Sequence, residues 1–220
     1  MEYSEYWLLE SAVIAPVALQ LICDSNPRGA LAAQWNKPSH GLDHSQRQAL
    51  LQDMHSRNLI SFFKNNTPVD DLSPNDLLRA LIEPRSPGFL VEYGLSSNGG
   101  SLWESVADPD WHRFYSCEPA AEGRFQIEAI RRQTAERALD FASQQHRVYV
   151  NTSSLHYYKR RPFRATYWKT LASGWAIEYS YGQERHDSPC SSPSDCDLEE
   201  ATRSYRRDYE FFHDWYRRPY

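Results

Sequence analysis

Signatures of catalysis are missing from this chain of 220 residues. It contains no Gly-x-Ser-x-Gly nucleophile elbow, no Gly-rich phosphate loop followed by Lys and Ser or Thr, and no His-Glu-x-x-His zinc motif. Paired carboxylates such as Asp70-Asp71 and Glu199-Glu200 stand in contexts typical of solvated loops and helix starts. We therefore expect a protein that is not an enzyme, and we keep an enzyme on an unfamiliar scaffold as an alternative because catalytic residues converge in space and not in sequence.

Long apolar runs are also scarce. The run from Ala12 to Ile22 is too short to span a bilayer and contains Pro16. We expect no signal peptide at the N-terminus, because Glu2 and Glu5 occupy the place of a basic segment. These features predict a cytoplasmic protein without a membrane partner, whose thiols are reduced.

Cysteine is sparse and scattered. Cys23 and Cys117 stand alone, and only Cys190 and Cys196 lie close together in sequence. With His186 they could bind a metal, but the gap between the two cysteines is longer than in common zinc sites and no second Cys or His pair stands nearby. We predict no metal and no cofactor; pairing of these two cysteines on oxidation would be incidental.

Charge is unevenly spread. Residues 1–120 hold 8 Lys and Arg against 15 Asp and Glu, a net charge of −7, whereas residues 121–220 hold 16 against 14, a net charge of +2. The formal net charge of −5 argues against a dedicated nucleic-acid-binding protein. Aromatic residues make up 14% of the chain, which excludes a wholly disordered protein.

The first half alternates helix and strand signals. Asp43 is placed to cap a helix that runs to about Asn58, and the segment Leu59–Phe63 is typical of a strand. Ser73 followed by Pro74 begins a second helix, and residues 67–72 are expected to be a loop. Before them, residues 6–22 predict a buried helix broken near Pro16.

The stretch FLVEYGLSSNGGSLWESV, residues 89–106, changes from strand to turn to helix. Val91 and Tyr93 alternate with Leu90 and Glu92, as in a strand. The cluster SSNGG, residues 96–100, then predicts a tight turn, and Ser101 with Glu104 has the spacing of a capping box. This stretch resembles the wing of bacterial winged-helix regulators, and QALLQDMHSRNLISFF, residues 48–63, resembles their recognition helix running into a strand. The resemblance covers residues 43–106 with an insertion at 64–87, and it implies a winged-helix fold that binds DNA.

The second half predicts a helix, a hairpin and a C-terminal helix. Residues 125–145 are expected to form the helix, residues 163–171 and 175–181 the antiparallel hairpin, and residues 198–220 the amphipathic C-terminal helix. Residues 183–197 are expected to be an exposed loop. The predicted fold class is α+β, with a winged-helix-like half over 1–118 and a helix, hairpin and C-terminal helix over 119–220, or a single continuous domain.

The most suggestive surface feature is a basic and aromatic run between Arg147 and Lys169 that contains no Asp or Glu. Three interpretations are open: a solvated hairpin with its aromatics in the core, a site for an acidic protein partner, and a site for single-stranded nucleic acid. The predicted partner-binding residues are Arg147, Tyr157, Tyr158, Lys159, Arg160, Arg161, Arg164, Trp168 and Lys169.

We therefore expect a non-catalytic protein that binds another protein, in general style like a bacterial immunity or inhibitor protein. The alternative from the resemblance is a winged-helix transcription regulator. Its predicted recognition helix offers only Arg47 and Arg57, beside Asp43 and Asp53, which is little positive charge for phosphate contacts.

Overall fold

The structure is a computed structural model that describes residues 1–22, 40–70, 72–83, 90–120, 123–146, 150–182 and 195–220. It combines helices with antiparallel sheets, which confirms the α+β class. The chain forms two compact units. Unit 1 comprises residues 1–107, 166–169 and 219–220, and unit 2 comprises residues 108–165 and 170–218. The predicted division after residue 118 falls within a strand of unit 2.

Unit 1 contains one antiparallel sheet, of strand order β1-β4-β2-β3, and four described helices. The strands are β1 (Val17–Ala18), β2 (Ile60–Lys64), β3 (Thr67–Val69) and β4 (Val91–Leu95). The helices are α1 (Tyr3–Ser11), α2 (His44–Ser56), α3 (Pro74–Ile82) and α4 (Ser97–Ala107).

Two helix starts in unit 1 confirm the predictions from local chemistry. The Asp43 side chain accepts from the Gln46 amide at 2.8 Å, while the Gln46 side chain accepts from the Asp43 amide at 2.9 Å. Ser73 caps α3 by accepting from the Asp76 amide, and Pro74 takes the first helical position. In both cases side-chain oxygens satisfy amides that have no partner within the helix.

Three predictions for unit 1 were wrong. The helix predicted over residues 6–22 ends at Ser11, and the chain continues as strand β1 and a 3₁₀ turn, Leu19–Ile22, because Pro16 cannot continue a helix. The loop predicted over residues 67–72 contains β3, which closes a hairpin on β2. Gly99 and Gly100 lie inside α4 and not in a turn before it, and Ser96, not Ser101, accepts from the Gly99 amide to cap the helix.

The segment that resembles a winged helix thus consists of α2, the β2–β3 hairpin, α3, β4 and α4. Its relation to winged-helix regulators stays a prediction.

Unit 2 is built on a second antiparallel sheet, of strand order β5-β6-β10-β7. The strands are β5 (Tyr115–Pro119), β6 (Arg124–Ala129), β7 (His156–Arg160) and β10 (Gly174–Ser180), and a small separate pair consists of β8 (Phe163–Arg164) and β9 (Thr170–Leu171). The helices are α5 (Arg132–His146) and α6 (Asp195–His213).

One face of this sheet is buried by the two helices. The core joins Ile127 of β6 and Ile177 of β10 to Phe141 of α5 and Phe212 of α6. Because side chains alternate along a strand, the residues between these core positions point to the opposite face. That opposite face carries polar side chains, and we call it the polar face.

The second half also corrects the sequence prediction. The helix predicted over residues 125–145 begins only at Arg132, and residues 124–129 form β6. Strand β10 confirms the predicted strand over residues 175–181, but its partners are β6 and β7, not residues 163–171. The C-terminal helix is confirmed as α6, which begins at Asp195; the rest of the loop predicted over residues 183–197 lies outside the described residues.

Within the described ranges, no helix combines the length and the apolar character needed to cross a membrane.

Candidate functional site

Strand β7 lies at one edge of the unit 2 sheet and carries the centre of the predicted site. It pairs with β10 from His156↔Glu178 to Arg160↔Gly174. Tyr157 packs against the helix-covered core, whereas His156, Tyr158 and Arg160 lie on the polar face. The strand therefore presents aromatic and basic side chains on both of its faces.

A cluster of cations and aromatic rings lies on the helix side of β7. The Arg132 guanidinium is 4.6 Å from the centre of the Tyr157 ring and 5.9 Å from that of Trp175. The Lys159 ammonium is 5.1 Å from the Trp175 ring, because residues 159 and 175 are directly paired. Both rings are half-buried while both cations are exposed. Such contacts hold cations over ring faces with modest favourable energy.

Arg132 and Trp175 were missed by the sequence analysis. Trp175 was expected in a hairpin with residues 163–171, and only the register between β7 and β10 brings it beside Lys159. Arg132 was expected in the middle of a longer helix, although it stands in the first turn of α5.

The polar face holds a network of opposite charges. Arg160 donates to Glu128 at 2.8 Å, and Arg124 lies 3.4 Å from Glu178. The hydroxyl of Tyr158 is 2.7 Å from Glu178, to which it donates its proton because a carboxylate is the strongest acceptor nearby. The residues of this face therefore neutralise one another across three strands.

This network makes Tyr158 a donor and not a base. Burial raises the pKa of Tyr158 to about 12, and its hydrogen bond to Glu178 acts in the same direction. The hydrogen bond to Glu128 raises the pKa of Arg160, which keeps that side chain charged. An open cleft of about 1160 Å³ lies over this face, between Ser153, His156 and Arg124. It brings His, Tyr and Glu together, but the Tyr and Glu bind each other.

The corner between β7 and β8 holds two further arginines at the surface. Phe163 is fully buried and packs against Gly174, where an added Cβ would lie 2.4 Å from the Phe163 ring. Arg161 and Arg164 stand before and after this anchor, and both are exposed. We call Tyr157, Lys159, Arg160, Arg161 and Arg164 together the basic edge.

Two other predicted site residues belong to unit 1 and are engaged there. The indole of Trp168 donates to the Val13 carbonyl at 2.8 Å, and Lys169 forms an ion pair with Glu104 at 2.7 Å. Their neighbour Tyr167 donates to the Ala12 carbonyl at 2.7 Å. The structure therefore assigns these two residues to the packing of unit 1. Arg147 lies outside the described residues.

The predicted recognition helix, α2, uses its arginines within unit 1. Arg47 is 3% exposed and donates to the carbonyl of Ile22 at 3.1 Å. Arg57 forms ion pairs with Glu5 at 2.8 Å and Asp53 at 2.9 Å. Both arginine side chains are therefore bound by groups of unit 1, and this helix offers no support for contacts with DNA phosphates.

The three residues considered as metal ligands in the sequence have no described side chains. His186 and Cys190 fall outside the described residues, and Cys196 lies in the first turn of α6. In the part of the chain whose side chains are described, no three His, Cys, Asp or Glu residues converge as metal ligands would.

Comparisons with protein-family models, with curated proteins and with solved structures each found no match. The interpretation of the basic edge consequently depends on its own contacts and charges.

Proposed function

We propose that this protein is a non-catalytic cytoplasmic protein that binds another protein through the basic edge. One observation carries the proposal: exposed cations lie against half-buried aromatic rings at the edge strand β7, where Arg132 is close to the Tyr157 ring and Lys159 to the Trp175 ring. The run of residues 147–169, which includes β7, contains no acidic side chain. The nearby acidic groups of β6 and β10 are engaged by Arg160, Arg124 and Tyr158. Lys159 and Arg161, which are both exposed, are therefore placed to attract an acidic surface.

The residue types support a protein partner. Trp, Tyr and Arg contribute most to binding energy at protein interfaces. Tyr157 and Trp175 are already held in place by the core and by Arg132 and Lys159, so little side-chain freedom remains to be lost on binding.

A single-stranded nucleic acid is supported less well. Bases bind such proteins by stacking on free aromatic faces. Arg132 lies against the Tyr157 ring and Trp175 is flanked by both cations. The Arg160 guanidinium lies 4.9 Å from the centre of the Tyr158 ring. The rings of this site are thus already occupied on the sides that a base would need.

The test is affinity capture from a lysate of the expressing cells with a charge-reversed variant. We choose Lys159→Glu with Arg161→Glu and leave Arg160 unchanged, because a glutamate at position 160 would stand beside Glu128. The control is Arg206→Glu with Arg207→Glu, which makes the same change in net charge at exposed positions of α6.

We expect the wild type and the control to capture the same protein in the presence of nuclease, and the Lys159/Arg161 variant to lose it. Thermal unfolding of both variants should stay close to the wild type, because exposed substitutions change stability by about 0.5 kcal/mol or less. Capture that survives the Lys159/Arg161 variant, or that disappears with nuclease, would contradict the proposal.

A further inference from the structure

We propose that the partner contributes an extended acidic segment, which pairs with β7 as an additional strand of the unit 2 sheet. This inference rests on the proposed function and specifies the chemistry and the mode of binding. Strand addition to a sheet edge derives affinity from backbone hydrogen bonds and specificity from alternating side chains.

The backbone of β7 directs two residues outward. The Ser180 carbonyl accepts from the Asn151 amide at 2.9 Å and the Ser180 amide donates to Ser154 at 2.9 Å, so Ser180 turns its backbone toward the β7 side. The register is unbroken along β10, so Glu178 and Ala176 do the same. The backbone groups of their partners, His156 and Tyr158, therefore point toward β10.

By the same alternation, Tyr157 and Lys159 direct their amide and carbonyl groups away from β10. Strand β7 ends the sheet order, and no strand pairs with its outer side in the part of the chain that the structure describes. These two residues therefore offer a donor and an acceptor each to an incoming strand.

The side chains around these groups favour an acidic segment. On the helix side, an added strand would lie next to Lys159, with Arg132 close by across the Tyr157 ring. On the polar face it would lie next to His156 and Arg160. Arg161 continues the strand at its end and is exposed. Arg160 is already paired with Glu128, so the polar face attracts carboxylates less than the helix side does. A carboxylate on the helix side of the incoming strand would meet Lys159, and one at its end would meet Arg161.

The same charges disfavour a second copy of this chain. Pairing β7 with another β7 in parallel would bring Lys159, Arg160 and Arg161 against their own equivalents, and like charges opposite each other destabilise a strand pair. Antiparallel pairing would still bring both sets of cations onto one two-stranded edge. Lysine on an edge strand is a common device against such self-association. The charges of β7 therefore disfavour pairing with a second copy of the chain and favour pairing with an acidic strand.

The opposite edge of the same sheet supplies an internal control. There β5 ends in Glu118 and Pro119, and the Ala120 amide donates to the Arg124 carbonyl at 2.7 Å. The alternation then directs the Cys117 amide outward, as it does that of Tyr157 on the other side. An acidic peptide should avoid this edge because of Glu118, and Pro119 offers no donor.

The experiment uses the full-length protein and three synthetic probes. The first is a short peptide that alternates Glu with Val, the second is the same peptide with every backbone amide N-methylated, and the third is a single-stranded RNA of equal charge. Binding is measured by titration, and exchange of individual amides is followed by NMR.

We expect the Glu-Val peptide to slow exchange at Tyr157 and Lys159 by about tenfold or more, and to leave Cys117 unchanged. The N-methylated peptide keeps the charge but lacks the donors, so it should bind at least about tenfold more weakly. Equal binding of both peptides without amide protection would overturn strand addition, and protection of Cys117 would overturn the choice of edge. RNA that binds more tightly than the peptide, or a Glu-Val peptide that does not bind, would overturn the acidic protein segment.

The capture experiment separates this inference from the proposed function. If a protein is captured through Lys159 and Arg161 while the amides of Tyr157 and Lys159 exchange unchanged in that complex, the proposed function holds and strand addition fails. If no protein is captured through these residues, the proposed function fails.

Discussion

Replacing Gly99 with alanine sets two physical effects of opposite sign against each other. Gly99 lies in the first turn of α4, where alanine would normally favour the helix by about 1 kcal/mol. In this position, however, an added Cβ would lie 1.8 Å from the carbonyl oxygen of Leu59 and 2.8 Å from its carbonyl carbon. A backbone atom cannot move aside as the end of a side chain can, so the helix would have to shift.

The steric cost is expected to be the larger effect. Forcing extra volume into a packed site costs about 1–3 kcal/mol and sometimes more. The Leu59 carbonyl also accepts from the Ser96 amide at 3.0 Å, and losing that hydrogen bond costs about 1 kcal/mol. After the gain in helix propensity is subtracted, we expect Gly99→Ala to lower the free energy of unfolding by about 1–3 kcal/mol.

Thermal unfolding followed by circular dichroism measures the effect, and a fall in Tm of about 2–12 °C corresponds to it. The control is Ser105→Ala, at an exposed position of the same helix, which raises helix propensity and removes only an exposed hydrogen bond to the Leu102 carbonyl, and it should leave Tm within about 2 °C. A Gly99→Ala protein as stable as the wild type or more stable would refute the close approach of α4 to Leu59.

Three further predictions concern interactions in the two units. Arg137→Met should lower the free energy of unfolding of unit 2 by about 2 kcal/mol in urea titration, because it leaves the nearly buried Asp208 without its partner at 2.6 Å. The cost is smaller than for a fully buried ion pair, since Arg137 is one-third exposed. The control is Arg206→Met, whose ion pair is exposed and which should cost about 0.5 kcal/mol or less; equal effects of the two substitutions would contradict this reasoning. Tyr167→Phe should destabilise unit 1 by about 2 kcal/mol in the same assay, because its hydroxyl serves two backbone groups, and an unchanged urea midpoint would refute it. The pKa of Tyr158 is about 12 in the folded protein against 10.0 for free tyrosine, so the folded state keeps a proton that the unfolded chain releases. The stability that Tyr158 contributes is therefore present below pH 10 and lost as the pH rises through about 12. Tyr158→Phe should flatten this part of the dependence of the free energy of unfolding on pH. A pH dependence identical to that of the wild type would contradict the hydrogen bond to Glu178.

Local chemistry explains which elements could be predicted. The caps Asp43 and Ser73 act on amides within three residues of themselves, so their sequence signals need no information about the rest of the fold. The pair Gly99-Gly100 is typical of a turn, yet both residues lie in a helix. Glycine stands at these two helical positions because Leu59 and Trp168 leave no room for a side chain there. These close approaches are tertiary contacts, so the sequence around the two glycines does not predict them.

The same distinction applies to the site. Lys159, Arg160, Arg161 and Arg164 could be predicted because the run lacks acidic residues. The ion pair of Arg160 with Glu128 and the contact of Lys159 with Trp175 depend on strand register, which the sequence does not state. Predicting a hairpin between residues 163–171 and 175–181 gave β10 the wrong partner, and these contacts were missed for that reason.

Site-specific photo-crosslinking tests the central claim most directly. A benzoyl-phenylalanine introduced in place of Arg161 would report which molecule touches the basic edge in the cell, and the same residue in place of Arg206 on α6 would serve as the control. We predict a single protein adduct from position 161, with the crosslinked peptide rich in Asp and Glu, and no such adduct from position 206. Adducts to nucleic acid, or the same proteins from both positions, would contradict the account.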